Sequence, residues 1–317
     1  MTVSILRTAD AWWVQTASGA TQVTTHATNT AGLLADRAAI AATATSAADA
    51  GGDVVSTDSL HLVSPVTAPC RVVAQMTNFA SHVKDAGMDP KTTPLTFFRK
   101  TSGSISGPFD DIVKPAHVRF LDYEVEIGLV IGRELPVGAS VTAANWTDYV
   151  AGLVVTNDVS ARDIQLPKTQ FYESKSYPTF TPVGPALVLL DADELGRFGE
   201  LRLRLRVNGE PRQDMRVAGD MIYSPLQALQ GLSRFQHLQP GDLVLTGTPV
   251  GTALSAPAKP VQIVSSLLPP AVKWKAFFKS QLRNAKYLND GDVVEATVGT
   301  DDGAIDLGTQ RTVVRYQ

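Results

Sequence analysis

Apolar and polar residues alternate most regularly from Leu121 to Ile131. Leu121, Tyr123, Val125, Ile127, Leu129 and Ile131 take one side, and Asp122, Glu124, Glu126, Gly128 and Val130 the other. A period of two predicts a β-strand. Trp12-Trp13-Val14 before Ser18-Gly19 predicts a short strand and turn, and Leu153 to Thr156 a buried strand. Leu201 to Val207, followed by Asn208-Gly209, reads as the first arm of a hairpin. Leu243 to Thr246 forms a strand after the turn signal Pro240-Gly241-Asp242, and Gly291 to Val294 another. Helices are fewer. Thr30 to Ala48 is alanine-rich and precedes Gly51-Gly52, Asn78 caps a two-turn helix that ends near Gly87, and Val141 to Val150 stops at Gly152. Ser224-Pro225 supplies an N-cap and a first-turn proline for a helix to about Phe235. Strands dominate without regular alternation with helices, which predicts an α+β chain rather than a doubly wound sheet.

The rest of the composition narrows the function. A chain of 317 residues can bury a sizeable core, and its single cysteine, Cys70, excludes an intramolecular disulfide and a thiolate metal cluster. With 28 Lys and Arg against 31 Asp and Glu, the net charge is −3, so there is no basic field for nucleic acid. No apolar run approaches the ~18 residues of a membrane span, and the first ten residues do not read as a signal segment. The expectation is a cytoplasmic protein that uses neither membrane nor nucleic acid. Two prolines in 63–69 mark a hinge, which divides a small N-terminal domain or arm, 1–69, from a larger domain at 70–317.

Glu124 and Glu126 would share one strand face, with Cα atoms roughly 6.5–7 Å apart. Two like charges so placed repel unless water or a cation lies between them. Gly128, next on that face, would leave open space; Asp122 does not discriminate. The plain alternative is a solvated face. A second cluster, Thr156-Asn157-Asp158-Val159-Ser160-Ala161-Arg162-Asp163-Ile164-Gln165, follows a buried strand. It reads either as a capped turn, with Asp158 as N-cap and Arg162 and Asp163 as surface charges, or as the source of a third carboxylate. Three carboxylates would make an all-oxygen site for Mg²⁺, Mn²⁺ or Ca²⁺. Zinc is disfavoured, because no His or Cys accompanies the acids at ligand spacing.

Asp122-Tyr123-Glu124-Val125-Glu126 and the 157–165 cluster together resemble the fumarylacetoacetate hydrolase (FAH) family. So do Lys175-Ser176-Tyr177 before Pro182-Val183-Gly184-Pro185, Val207-Asn208-Gly209-Glu210 with Arg212-Gln213, and the run from Pro240 to Pro249. The motifs occur in family order, and the resemblance covers roughly 70–256 and 289–317. It implies a mixed β-sandwich roll, usually a homodimer, acting on small 2-oxo acids or β-dicarbonyl compounds. It also implies that Glu124, Glu126 and Asp158 are the metal ligands, with Mg²⁺ the expected ion and Mn²⁺ or Ca²⁺ as alternatives.

Asn78 to Asp85 is similar to the family's Asn-Tyr-x-x-His segment. His82 and Asp85 stand at i and i+3, so on a helix Asp85 could orient the imidazole and let His82 act as general base. Relatives commonly carry Glu at this acid position. Lys175 corresponds to the lysine that reaches a substrate carboxylate or oxyanion; Pro178 stands where many relatives have Asp. Arg162 and Gln165 would orient the substrate, and Thr248 would touch its polar end. The alternatives are an Arg162 ion pair with a nearby acid and a Thr248 hydroxyl that caps its own turn. His26, His61, His117 and His237 have no motif around them.

The resemblance implies a metal-dependent hydrolase that cleaves a C–C bond in a 1,3-dicarbonyl compound by way of an enolate. Decarboxylation, hydration or isomerisation of a 2-oxo acid at the same site is the alternative. A scaffold protein without turnover is disfavoured by the intact residue set. The chain departs from the family in a helical insertion at about 258–288. There Trp274, Phe277, Phe278, Leu282 and Ala285 form one apolar stripe among lysines. Such a helix is expected to cover the site or to meet a partner subunit, with a membrane surface as the rival role.

Overall fold

The computed structural model describes residues 2–48, 53–169, 171–257, 260, 261, 263 and 267–317. Two mixed sheets face each other. The larger has ten strands, in the order Val54–Val55, Gly19–Gln22, Trp12–Thr16, Val3–Arg7, Leu187–Leu189, Val150–Asn157, Val125–Ile131, Leu243–Leu245, Val72–Gln75 and Phe97–Lys100. The smaller has five, in the order Glu210–Arg216, Leu201–Val207, Val293–Thr300, Asp306–Tyr316 and Ile112–Lys114. Most neighbours are antiparallel, but Leu243–Leu245 runs parallel to Val72–Gln75 and Asp306–Tyr316 parallel to Ile112–Lys114.

Strand alternation explains the layering. Val125, Ile127, Leu129 and Ile131 join Leu203, Leu205, Ala296 and Val298 in one buried cluster between the sheets. Val130, with Val154 and Leu243, points to the other face of the large sheet, where Leu33, Leu34 and Ile40 cover it. Both faces of the Val125–Ile131 strand are therefore buried, and the solvated-face reading of Glu124 and Glu126 does not hold. Gly128 faces no open space. A Cβ there would lie 2.6 Å from a Val154 methyl and 2.8 Å from a Leu243 methyl, so glycine is what lets three strands pack closely.

Residues 1–69, set apart in the sequence, extend the large sheet: Val3–Arg7 pairs with Leu187–Leu189, and the helices Thr30–Ala35 and Arg37–Ala48 cap its back face. The expected single helix from Thr30 breaks at Asp36, and Gly51-Gly52 lies outside the described residues. The 141–150 segment is not a helix. It holds only a 3₁₀ turn at Trp146–Tyr149, and Val150 already belongs to a strand. The Ser224 cap is present, with its Oγ accepting from the Gln227 N–H at 3.4 Å, though the helix stops at Leu232. Asn208 and Gly209, both at positive φ, turn Leu201–Val207 into Glu210–Arg216.

The inserted helix runs Pro270–Gln281 and lies against the helix Arg162–Lys168. Phe278 is its buried anchor, stacked 5.4 Å from Phe120 and 5.9 Å from Trp274, centroid to centroid. The apolar stripe ends there. Leu282 is 70% exposed and Ala285 is exposed, because the helix terminates at Gln281 and Tyr287 and Leu288 take the next buried places. Among the described residues, no helix is long and apolar enough to cross a membrane.

Candidate active site

The strand Val125–Ile131 stops short of Glu124, whose backbone N–H reaches the Asn157 side-chain oxygen at 2.9 Å. The Glu124 carbonyl accepts from the Asp158 N–H at 2.8 Å. These two bonds hold the end of one central strand against the end of its neighbour, Val150–Asn157. Glu124, Glu126 and Asp158 consequently converge: all three are buried, and one carboxylate oxygen from each lies within 4.8 Å of the others.

Cations surround this triad. The Lys175 ammonium donates to Glu124 Oε2 and to Asp158 Oδ2, both at 2.6 Å. Lys100, at the end of the strand Phe97–Lys100, donates to Asp158 Oδ1 and to the Phe180 carbonyl, the latter at 2.8 Å. Arg162 spans Asp122 (2.8 Å), Glu124 and the Gln165 side-chain oxygen (2.8 Å). Asp122 in turn accepts from the backbone of Ala253 at 2.7 Å and of Leu254 at 3.1 Å. The root of the insertion is thereby tied to the guanidinium that holds Glu124.

The electrostatic consequence differs between the glutamates. Burial would raise Glu124, but Lys175 and then Arg162 hold its carboxyl well below the usual range. Among the described residues no cation forms an ion pair with Glu126. Its Oε2 accepts the Gly247 N–H at 2.7 Å, and burial, with Asp158 and Glu124 nearby, outweighs the Lys175 charge and pushes its carboxyl well above the usual value. Gly247 is at φ +86°, and a Cβ on it would approach the Asn78 Cβ to 2.8 Å, so a glycine is needed where this N–H is offered. A divalent cation fits here: it would repay the crowding of three buried carboxylates, and the donor set is all oxygen.

The other expected residues fall around the same cavity, of about 1130 Å³, which is lined by His82, the triad, Arg162, Gln165, Lys175 and Thr248. His82 sits on the helix Ala80–Asp85 with its Nδ1 buried and without a hydrogen-bond partner. Burial holds its imidazole below the ordinary histidine value. Asp85 does not meet it: among the described residues no hydrogen bond joins their side chains, and the Asp85 backbone oxygen accepts from Ala256 at 3.0 Å. The orienting dyad drawn from i, i+3 spacing is not formed, since sharing a helix face does not make a short aspartate reach. Asn78 is no cap either. Its amide bridges the Tyr223 and Thr246 carbonyls at 3.0 and 2.8 Å, and Phe79 takes the cap position.

Arg162 and Gln165 are spent on this internal network: Arg162 holds Glu124, and Gln165 holds Arg162. Thr248 is likewise committed, donating to the Val125 carbonyl at 2.9 Å and accepting from Gln213 at 2.8 Å. The capped-turn reading of Asp158 fails because Ala161 occupies the N-cap of Arg162–Lys168. His117 and Tyr177 form an exposed pair at 2.9 Å, away from the triad. Sequence reasoning missed Lys100 and undervalued Asp122. For Asp122 the signal was there, three acids on one strand face; for Lys100 nothing local distinguishes it.

The sequence model for the fumarylacetoacetate (FAA) hydrolase C-terminal region matches residues 71–315. Oxaloacetate tautomerase Fahd2a, a mitochondrial protein of Rattus norvegicus, is 35% identical over 202 residues, 63% of this chain and 62% of that protein, which is less than two thirds of its length. Among solved structures, a probable 2-hydroxyhepta-2,4-diene-1,7-dioate isomerase of Mycobacterium abscessus is 28% identical, with a TM-score of 0.71 over 100% of this chain and 99% of that one. The fumarylacetoacetate hydrolase of Exiguobacterium antarcticum is 26% identical, with a TM-score of 0.70 and full coverage of both chains. The chain belongs to the fumarylacetoacetate hydrolase family.

Proposed function

We propose that this family member is a divalent-metal-dependent enzyme acting on a 2-oxo acid or 1,3-dicarbonyl compound, and that it moves a proton through the enol as a tautomerase or isomerase does. The observation that carries this reading is the buried Glu124, Glu126 and Asp158 triad on the same cavity that His82 lines. Mg²⁺ is the ion we propose, with Mn²⁺ or Ca²⁺ allowed by the same oxygen chemistry. Held by the three carboxylates, it would supply the positive charge that favours enolisation of a neighbouring carbonyl.

The chain's own residues do the rest. His82, kept neutral by burial, can accept a proton on its imidazole from the carbon next to the carbonyl and return it to the other end of the enol. Lys175, fully charged between Asp158 and Glu124, places an ammonium beside developing negative charge. Arg162 keeps Glu124 ionised and fixed. The names of the rat relative and of the M. abscessus structure, a tautomerase and an isomerase, favour this reaction class.

A second reading, hydrolytic C–C cleavage, in which the His82 imidazole takes its proton from water instead, is favoured by the E. antarcticum structure. Incubating Mg²⁺-loaded protein with acetylpyruvate, linear β-diketones and oxaloacetate separates them. Tautomerisation accelerates the decay of the enol ultraviolet band and leaves the carbon skeleton intact by NMR. Hydrolysis yields two acids. No acceleration and no product with any compound would refute the enol chemistry. We also propose a homodimer in the cytoplasm, and light scattering on the purified chain tests the assembly.

A further inference from the structure

The triad fills only the inner end of a cavity of about 1130 Å³. Its outer wall is of another kind: Phe98, Leu166, Phe171, Leu254, Trp274 and Phe277 line it. Phe98 and Phe171 pack at 5.2 Å, and Trp274 and Phe277 meet edge to face at 5.9 Å, centroid to centroid. The two aromatic pairs come from different parts of the chain, the second from the inserted helix. That helix is fixed in place by Phe278 on Phe120, by the Asn284 amide on the Ala253 carbonyl at 2.8 Å, and by the Leu288 N–H on the Leu121 carbonyl at 2.9 Å.

A substrate with a carboxylate at its far end would need a free cation in this outer half. Among the described lining residues the basic ones are His82, Arg162, Lys175 and Lys273. Arg162 and Lys175 are already bonded to Asp122, Glu124 and Asp158. Lys273 lies over the Trp274 ring, its ammonium 5.1 Å from the centroid. The lining amide of Gln75, buried with neither atom bonded, is neutral.

We propose that the preferred substrate carries one acidic, enolisable head and an uncharged apolar tail, aryl or long acyl, which Trp274 and Phe277 of the inserted helix hold. This rests on the enol chemistry above for the head and adds the class of the tail. Apolar contact of this size discriminates by roughly 10–200-fold per group added or lost. Lys273 is the lining cation that forms no ion pair among the described residues, so it is the group a diacid would have to engage.

The test compares benzoylpyruvate, acetylpyruvate and oxaloacetate with Mg²⁺-loaded protein, reading KM and also binding by stopped-flow tryptophan fluorescence. Benzoylpyruvate should bind at least about tenfold tighter than either of the others. Trp274→Ala and, separately, Phe277→Ala should erase that preference, lowering benzoylpyruvate affinity by at least about tenfold. The Phe277 variant retains the fluorophore and serves if the first does not fold. Lys273→Met should leave benzoylpyruvate binding intact. Tighter binding of oxaloacetate, its loss in Lys273→Met, or an unchanged preference in both aromatic variants would overturn the proposal. Benzoylpyruvate that binds with the expected preference but is never turned over would refute the reaction assigned above and uphold the tail assignment.

Discussion

At the inner end of the cavity the acids and cations are hydrogen-bonded to one another; at the outer end, aromatic rings pack in pairs, with Lys175 beside Phe98 and Lys273 beside Trp274. The inner end is built where two central strands stop, Val125–Ile131 and Val150–Asn157, and it is cross-linked by Lys100, Arg162 and Lys175. The outer end takes Phe98, Leu166 and Phe171 from the body of the chain and Trp274 and Phe277 from the helix Pro270–Gln281. One half can be altered only by leaving a buried charge without its partner. The other can be reshaped one ring at a time. On the proposed reading, reaction and selectivity reside apart: the chemistry in the sandwich, and the choice of substrate tail at the aromatic wall to which the insertion contributes.

The strongest way to break this division is at Asp158, which accepts from Lys100 and Lys175 together. Asp158→Ala removes the carboxylate partner of the buried Lys100 and one of the two that hold Lys175. It should cost about 3–5 kcal/mol of stability in chemical denaturation, and metal affinity should fall by more than about 100-fold. A loss under about 1 kcal/mol would mean that the inner network is looser than described. His82→Ala comes next. As a general base its removal should lower kcat by roughly 10²–10⁴ while metal affinity stays near wild type. Asp85→Asn should change kcat little, since no hydrogen bond links the two side chains; a matching drop in both variants would restore the dyad.

A smaller effect sharpens the contrast between the two glutamates. The Glu126 carboxyl is raised in the fold, so the metal-free protein binds more protons folded than unfolded. Its contribution to stability is full below the ordinary carboxylate pKa and is lost as pH rises through the raised one. Metal-free wild type should therefore lose Tm over that window, and Glu126→Gln should flatten the slope. Adding Mg²⁺ to wild type should flatten it as well, by stabilising the ionised carboxylate. An equal slope in Glu126→Gln would place the pH dependence elsewhere.

Much of this was legible in the sequence because it is local. The period of two around Glu124 and Glu126, the Asn208-Gly209 turn and the Ser224-Pro225 cap each express geometry within a few residues. The failures lie where distant parts of the chain decide. Lys100 meets Asp158 across 58 positions, and only the sheet order places them together. Gly128 read as open space because its neighbours Val154 and Leu243 belong to other strands. The 141–150 segment carries helical spacing, yet Val150 pairs with Ile131 and the sheet wins. Asp85 and Leu282 show the opposite error: a shared helix face, or a continued stripe, was extended past the point where side-chain reach or the helix itself ends.

The central claim is that the buried carboxylates are a metal site that the reaction requires. Titrating Mg²⁺, and in parallel Mn²⁺, into chelator-treated protein while recording both binding heat and the rate of enol decay tests it in one experiment. The account predicts saturation at one ion per chain, with the rate rising from the uncatalysed level in proportion to occupancy, and neither signal in Glu126→Ala. Full catalysis by the chelated protein, or binding that survives unchanged in Glu126→Ala, would contradict it.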